Sequence, residues 1–131
     1  MKKTPLLNAE LSYLIATLGH GDALVIADAG LPVPPGTRCI DLALTRGVPS
    51  FEQVVEAVLS EMQLERAVHA TELMTHNPQF AAMLRARLGD AVIEVLSHAA
   101  LKLKTGSARA IVRTGECTPF ANVILYAGVV F

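Results

Sequence analysis

The chain has 131 residues, of which 52% are hydrophobic and 18% charged, with a formal net charge of −1. The length suits one domain over residues 1–131, the apolar content excludes a disordered chain, and the lack of a basic field excludes nucleic acid as a partner. No stretch approaches the ~20 apolar residues needed to span a membrane. Asn8, Glu10 and Ser12 interrupt the run a signal peptide would need after Lys2 and Lys3. A cytoplasmic location is therefore expected, with no membrane partner. Cys39 and Cys117 have neither metal-ligand nor redox spacing, and in that compartment they are expected as reduced thiols. So large an apolar share in so small a chain also points to faces buried between copies of it.

In chain order, short β-like runs alternate with helical patterns, the signature of an α/β fold. The first helix is predicted from about Ala9 to Leu18, with Asn8 as N-cap and Leu11, Leu14, Ile15 and Leu18 at helical spacing. Gly19 and Gly21 bracket His20 and stop it. Ala23 to Ala27 reads as a fully buried strand, ending at Asp28-Ala29-Gly30 and a proline-rich loop. A second strand is predicted over Cys39 to Leu44. Ser50 and Gln53 form a capping box, and the helix after it carries Val54, Val55, Val58, Leu59 and Met62 on one face. A short strand follows at Ala67 to Ala70. Asn77-Pro78 opens a helix ending near Gly89. Ala91 to Leu96 reads as a strand, Leu101 to Lys104 as a short helix, and Ala110 to Arg113 and Val123 to Ala127 as the last two strands.

Chemistry could sit in four places. His20 follows a helix C-terminus, where the partial negative charge favours an imidazolium by about 0.3–1 kcal/mol, and histidine titrates near neutrality. Held between glycines it is open to a ligand, although a plain helix-stop residue is the better explanation of the tetrapeptide taken alone. Asp28 lies at the carboxyl end of a buried strand, where α/β sheets bind ligands. It reads either as an acceptor for sugar hydroxyls, or a group orienting a histidine, or as a turn aspartate. His98 also follows a strand and reads otherwise as a cap or surface histidine. His69 falls within a strand, and His76 within a segment that capping explains. Four scattered histidines make a poor zinc site. The loop from Gly115 to Asn122 offers Glu116 as an acid–base group or a turn carboxylate, Cys117 without a histidine near it in sequence, and Asn122 for hydroxyl groups. No phosphate-binding glycine pattern is present, so no nucleotide cofactor is expected.

Taken together these residues resemble the D-ribose pyranase (RbsD) family and its sister group of L-fucose mutarotases. The resemblance runs through Leu7-Asn8, Leu18-Gly19-His20, Asp28-Ala29-Gly30-Leu31-Pro32, Ile40-Asp41-Leu42-Ala43-Leu44, Gly47-Val48-Pro49-Ser50-Phe51, His76-Asn77-Pro78-Gln79, Ile111 to Pro119, and Ala121-Asn122. The Gly47 to Phe51 segment looks closer to the ribose group. The resemblance implies a three-layer α/β/α fold with a mixed sheet. It implies His20 as proton donor and Asp28, His98, Phe120, Ala121 and Asn122 as sugar-binding residues. Phe120 stands where the family usually carries tyrosine. The implied reaction interconverts pyranose and furanose forms of D-ribose by acid–base ring opening, which requires neither metal nor organic cofactor. Relatives form rings of identical subunits, commonly stacked into decamers, with sites near subunit boundaries. The competing expectations are an L-fucose-type mutarotase and a non-catalytic sugar-binding accessory protein.

Overall fold

Five consecutive apolar residues make β1 (Ala23–Ala27), and all five are buried. A strand sealed on both sides must lie inside a covered sheet, and in the computed structural model, which describes residues Met1 to Phe131, it does. The other strands are β2 (Cys39–Asp41), β3 (Leu64–Ala70), β4 (Val92–Leu96), β5 (Ala110–Arg113) and β6 (Val123–Ala127). Their order across the sheet is β2-β5-β1-β6-β3-β4. β2, β5 and β1 run parallel, as do β3 and β4, while β6 lies antiparallel between β1 and β3. One edge of this mixed sheet therefore gathers the carboxyl ends of five strands and the amino end of β6. The opposite edge gathers five amino ends and the carboxyl end of β6.

Alternation along β1 divides its side chains between two cores. Leu24 and Ile26 meet the larger cluster, of 22 buried residues, formed with α1 (Ala9–Thr17), α2 (Phe51–Leu59), α3 (Thr71–His76) and α4 (Pro78–Leu88). Ala23, Val25 and Ala27 meet a smaller one, of 9, closed by Leu101 of α5 (His98–Thr105) and by Leu31. The result is the expected three-layer α/β/α arrangement, with one face far more thickly covered than the other. No helix is long and apolar enough to cross a membrane.

The expected caps form. Asn8 accepts from the Leu11 amide at 2.9 Å, Ser50 and Gln53 close a capping box, and Asn77 accepts from the Phe80 amide ahead of a helix with Pro78 in its first turn. Four elements differ from expectation. β3 begins three residues early, at Leu64 rather than Ala67. β2 stops at Asp41, because the Asp41 carboxylate accepts from the Ala43 amide and turns the chain out of the sheet. Leu44, expected in that strand, is 81% exposed. α3 was not predicted; it has six residues and no side-chain cap at Ala70, so it left no start signal to read. His76 ends α3 rather than opening α4, and Asn77 serves as C-cap of one and N-cap of the other. α5 begins earlier than Leu101, at His98, with Ser97 as its N-cap.

Candidate active site

Of the six residues expected as proton donor or sugar-binding, the carboxyl edge of the sheet carries all but His20. β1 ends into Asp28 and β6 begins after Asn122, and the antiparallel pairing of these two neighbours brings them face to face. The Asp28 amide donates to Asn122 Oδ1 (2.9 Å), and Asn122 Nδ2 donates to Asp28 Oδ2 (2.8 Å). Asp28 Oδ1 also accepts from the Gly30 amide (2.9 Å). Each carboxylate oxygen still has a lone pair for a ligand hydroxyl. Asn122 is fully buried, so its amide is a fixed strut and the carboxylate is the group that faces the cleft of about 380 Å³ lined by Asp28, Ala29, Gly30 and the loop from Glu116 to Pro119.

Phe120 sits at φ 64°, in the left-handed region that a bulky residue rarely enters. This turns its ring between two imidazoles, His76 at 5.0 Å and His98 at 5.1 Å between centroids. Glu72 of α3 ties the two histidines down. Its carboxylate accepts from the His98 amide (2.8 Å) and its carbonyl accepts from His76 Nδ1 (2.9 Å). Hydrogen bonding from its own amide, then from that of His98, together with the nearby imidazoles, outweighs desolvation and holds the Glu72 carboxyl below the usual carboxylate range. His98 Nδ1 is buried and has no protein partner, and buried polar atoms are normally paired. Ala121 is fully buried within the larger core, so only its backbone can meet a ligand.

The two other candidates in the Gly115–Asn122 loop resolve into structural roles. Glu116 Oε1 accepts from the Cys117 and Thr118 amides and from the Thr118 hydroxyl, and Oε2 faces the first amide of α2 at 3.4 Å. It is a turn carboxylate. The Cys117 thiol points back to the Gly115 carbonyl at 3.5 Å. Both cysteines are unpaired thiols.

His20 lies elsewhere. It precedes β1 and Asp28 follows it, so with a rise of about 3.3 Å per residue the strand holds them roughly 16 Å apart within one chain. Asp28 thus cannot orient the His20 of its own chain. The His20 loop is pinned instead to the amino edge. The Gly21 amide donates to the Ala127 carbonyl (2.8 Å) at φ 80°, and the Gly19 amide donates to Asp22 Oδ2 (2.8 Å). His20 Nε2 lies 2.6 Å from Glu65 Oε2, and both side chains are more than half exposed. Sequence reasoning missed Glu65, Glu72 and the part played by His76. Only the pairing of β3 with β4 and β6 brings them to the two edges, and no spacing along the chain signals that.

Comparison with known proteins gives a consistent result. The model of the RbsD / FucU transport protein family matches residues 1–130. A D-ribose pyranase of Variovorax paradoxus is 56% identical over all of both chains, and one of Pseudomonas putida 58% identical, again over the full length of both. Among solved structures, Bacillus subtilis RbsD complexed with D-ribose superimposes with a TM-score of 0.96 at 46% identity, covering all of both chains.

Proposed function

The chain belongs to the RbsD/FucU family, and from that premise we propose that His20 is the acid that opens the sugar ring in its reaction. The chain is an intramolecular isomerase that interconverts the pyranose and furanose forms of D-ribose. The observation that carries the ribose assignment is the match along the whole chain to a D-ribose-bound RbsD.

Ring opening of a cyclic hemiacetal needs one proton delivered and one removed. A base takes the proton of the anomeric hydroxyl, the carbonyl forms, the bond from the anomeric carbon to the ring oxygen breaks, and an acid protonates that oxygen. Closure through a different hydroxyl repeats the exchange in reverse. His20 is the side chain suited to the acid step near neutrality. Asp28, braced by Asn122, accepts hydrogen bonds from sugar hydroxyls and holds the water that acts as base. The unpartnered Nδ1 of His98 supports a further contact to a hydroxyl, and the Phe120 ring gives an apolar wall beside it. No step transfers electrons or breaks a carbon–carbon bond, so this chemistry calls for no metal or organic cofactor.

Because one chain holds His20 and Asp28 at opposite edges, the site on this reading is completed by a second copy. His20 of one subunit reaches the Asp28 cluster of its neighbour within a homo-oligomer, for which stacked rings making a decamer are the proposed form. Exposed Leu7, Tyr13, Leu44, Val130 and Phe131 supply apolar surface for such packing. Unpaired Cys39 and Cys117 fit the reducing cytoplasm, the proposed location.

Exchange NMR on ribose tests the assignment. The wild type is expected to accelerate pyranose–furanose exchange, with His20→Ala slower by roughly 10²–10⁴-fold. Undiminished exchange in the variant would remove His20 from the mechanism. The same experiment with L-fucose separates the ribose reading from the mutarotase one, and saturable binding without faster exchange would identify an accessory binder.

A further inference from the structure

We infer that Glu65 is a positioning residue for the reaction: it holds His20 by Nε2, so that Nδ1 is the nitrogen that hands its proton to the sugar. The inference rests on the role proposed above for His20.

Three independent features of the amino edge converge on this pair. The first is the contact itself, 2.6 Å from His20 Nε2 to Glu65 Oε2. A carboxylate accepts only, so Nε2 carries the hydrogen and the other ring nitrogen is left for chemistry. The second is a bulge. Leu64 pairs with Ala127 and Arg66 with Tyr126, so β3 advances two residues where β6 advances one, and Glu65 is the extra residue. Bulges re-aim a side chain that regular alternation would place elsewhere, and they are over-represented beside active sites. Arg66 fixes the bulge from behind, with its guanidinium 3.7 Å above the Tyr126 ring and a 3.2 Å bond to Glu94.

The third feature is a shared backbone brace. The end of β6 bonds to both partners' segments. The Ala127 carbonyl accepts from the Gly21 amide (2.8 Å) and the Ala127 amide donates to the Asp22 carbonyl (2.9 Å), which holds the His20 loop. The Gly128 amide donates to the Gln63 carbonyl (2.9 Å), which holds the entry to the bulge. Gly128 also leaves room: a Cβ there would stand 3.1 Å from Glu65 Cβ. The two side chains therefore spring from one rigid frame rather than meeting as two loose surface groups.

Stability does not explain this construction. An ion pair as exposed as this one contributes little to folding. Orientation of an imidazole by a carboxylate on its far nitrogen, by contrast, fixes which tautomer faces the substrate. The proton balance then follows. Nδ1–H of the imidazolium gives its proton to the ring oxygen as the ring opens, which leaves the neutral Nε2–H form still bonded to Glu65. The proton released from the anomeric hydroxyl restores the imidazolium through water.

The test compares Glu65→Ala, Glu65→Gln and His20→Ala in ribose exchange, with magic-angle-spinning 15N spectra of histidine-labelled protein. Glu65→Ala is expected to lower kcat by at least about tenfold and to leave KM within twofold, since Glu65 does not belong to the Asp28 cluster. Glu65→Gln keeps an acceptor for Nε2–H and recovers most of the rate. The neutral His20 resonance, assigned by its loss in His20→Ala, reports the Nε2–H tautomer in the wild type and a mixture in Glu65→Ala. A wild-type rate in Glu65→Ala beside an inactive His20→Ala overturns the positioning role and leaves His20 in place. A loss confined to KM, or an unchanged tautomer, overturns it as well. An active His20→Ala removes the acid and its holder together.

Discussion

The two edges of the sheet are built on opposite plans. At the carboxyl edge, Asp28 and Asn122 exchange two hydrogen bonds, Asn122 is sealed from solvent, and Phe120 is forced to a positive φ between two imidazoles. At the amino edge, His20 and Glu65 stand in water, 60% and 57% exposed, on a backbone frame that is itself firmly bonded. A sugar-binding surface benefits from being assembled within the chain, because donors and acceptors fixed in advance lose little entropy when the ligand arrives. An acid delivered to a neighbouring subunit must remain on the outside until the neighbour covers it. The contrast between a partly buried, internally braced cluster and an exposed dyad thus fits one site divided between copies.

The largest effect that sharpens this contrast is on stability. Asn122→Ala leaves the Asp28 carboxylate and amide without their buried partner, and is expected to cost about 1–3 kcal/mol, seen as a lower Tm, and to raise KM for ribose. His20→Ala, at an exposed position, is expected to leave Tm nearly unchanged while removing activity. Equal Tm losses in the two variants would break the comparison, because it would mean that His20, like Asn122, carries part of the chain's own packing.

A smaller and more pointed effect comes from mixing. His20→Ala and His98→Ala are each expected to be defective alone. Coexpressed, they form mixed assemblies in which some sites draw intact His20 from one copy and intact His98 from the next. Random mixing then restores about a quarter of the wild-type activity. No recovery in verified mixed assemblies would mean that each chain completes its own site, and the division between edges would lose its functional meaning.

Much of the fold was legible because it is local. β1 and β6 are apolar runs and β5 is apolar up to Arg113, so the sequence marks their bounds directly, and Asn8, Ser50 and Asn77 announce three helices through side-chain caps. α3 was not legible, since Ala70 caps nothing and six residues carry no amphipathic period. The site was legible in part. Asp28 and Asn122 show as polar residues at the margins of apolar strands, but their mutual bonding depends on β1 lying beside β6, 94 residues apart in sequence. Glu65 and Glu72 were missed for the same reason, as their partners arrive from 45 and 26 residues away. The separation of His20 from Asp28, however, was readable in principle. A five-residue strand between two residues places them at opposite edges, and on the proposed mechanism that arithmetic calls for a second copy.

The last contrast is between two histidines, and it yields the smallest effect. His20, exposed at the amino edge, has a carboxylate partner. His69, near the carboxyl end of the same strand that carries Glu65, is fully buried with Nε2 unpartnered and Nδ1 3.1 Å from the Ala70 carbonyl. Burial pushes the His69 imidazole below its ordinary range, with the Ala70 carbonyl opposing and Arg85 reinforcing the shift. The folded state therefore keeps His69 neutral at a pH where the unfolded chain, with an ordinary pKa of about 6.5, already binds a proton. Stability is full above that value and declines as pH falls below it, by at most about 1.4 kcal/mol per unit for this one group. Thermal unfolding between pH 7.5 and 5.5 is expected to show a falling Tm, and His69→Leu, which removes the titrating group but keeps apolar volume, is expected to flatten that slope. An identical slope in the variant would show that His69 finds a partner for its proton inside the fold. The interior beneath the carboxyl edge would then not be as thoroughly sealed as the burial of His69 indicates, and the difference between the edges would be one of ligand chemistry rather than of access to water.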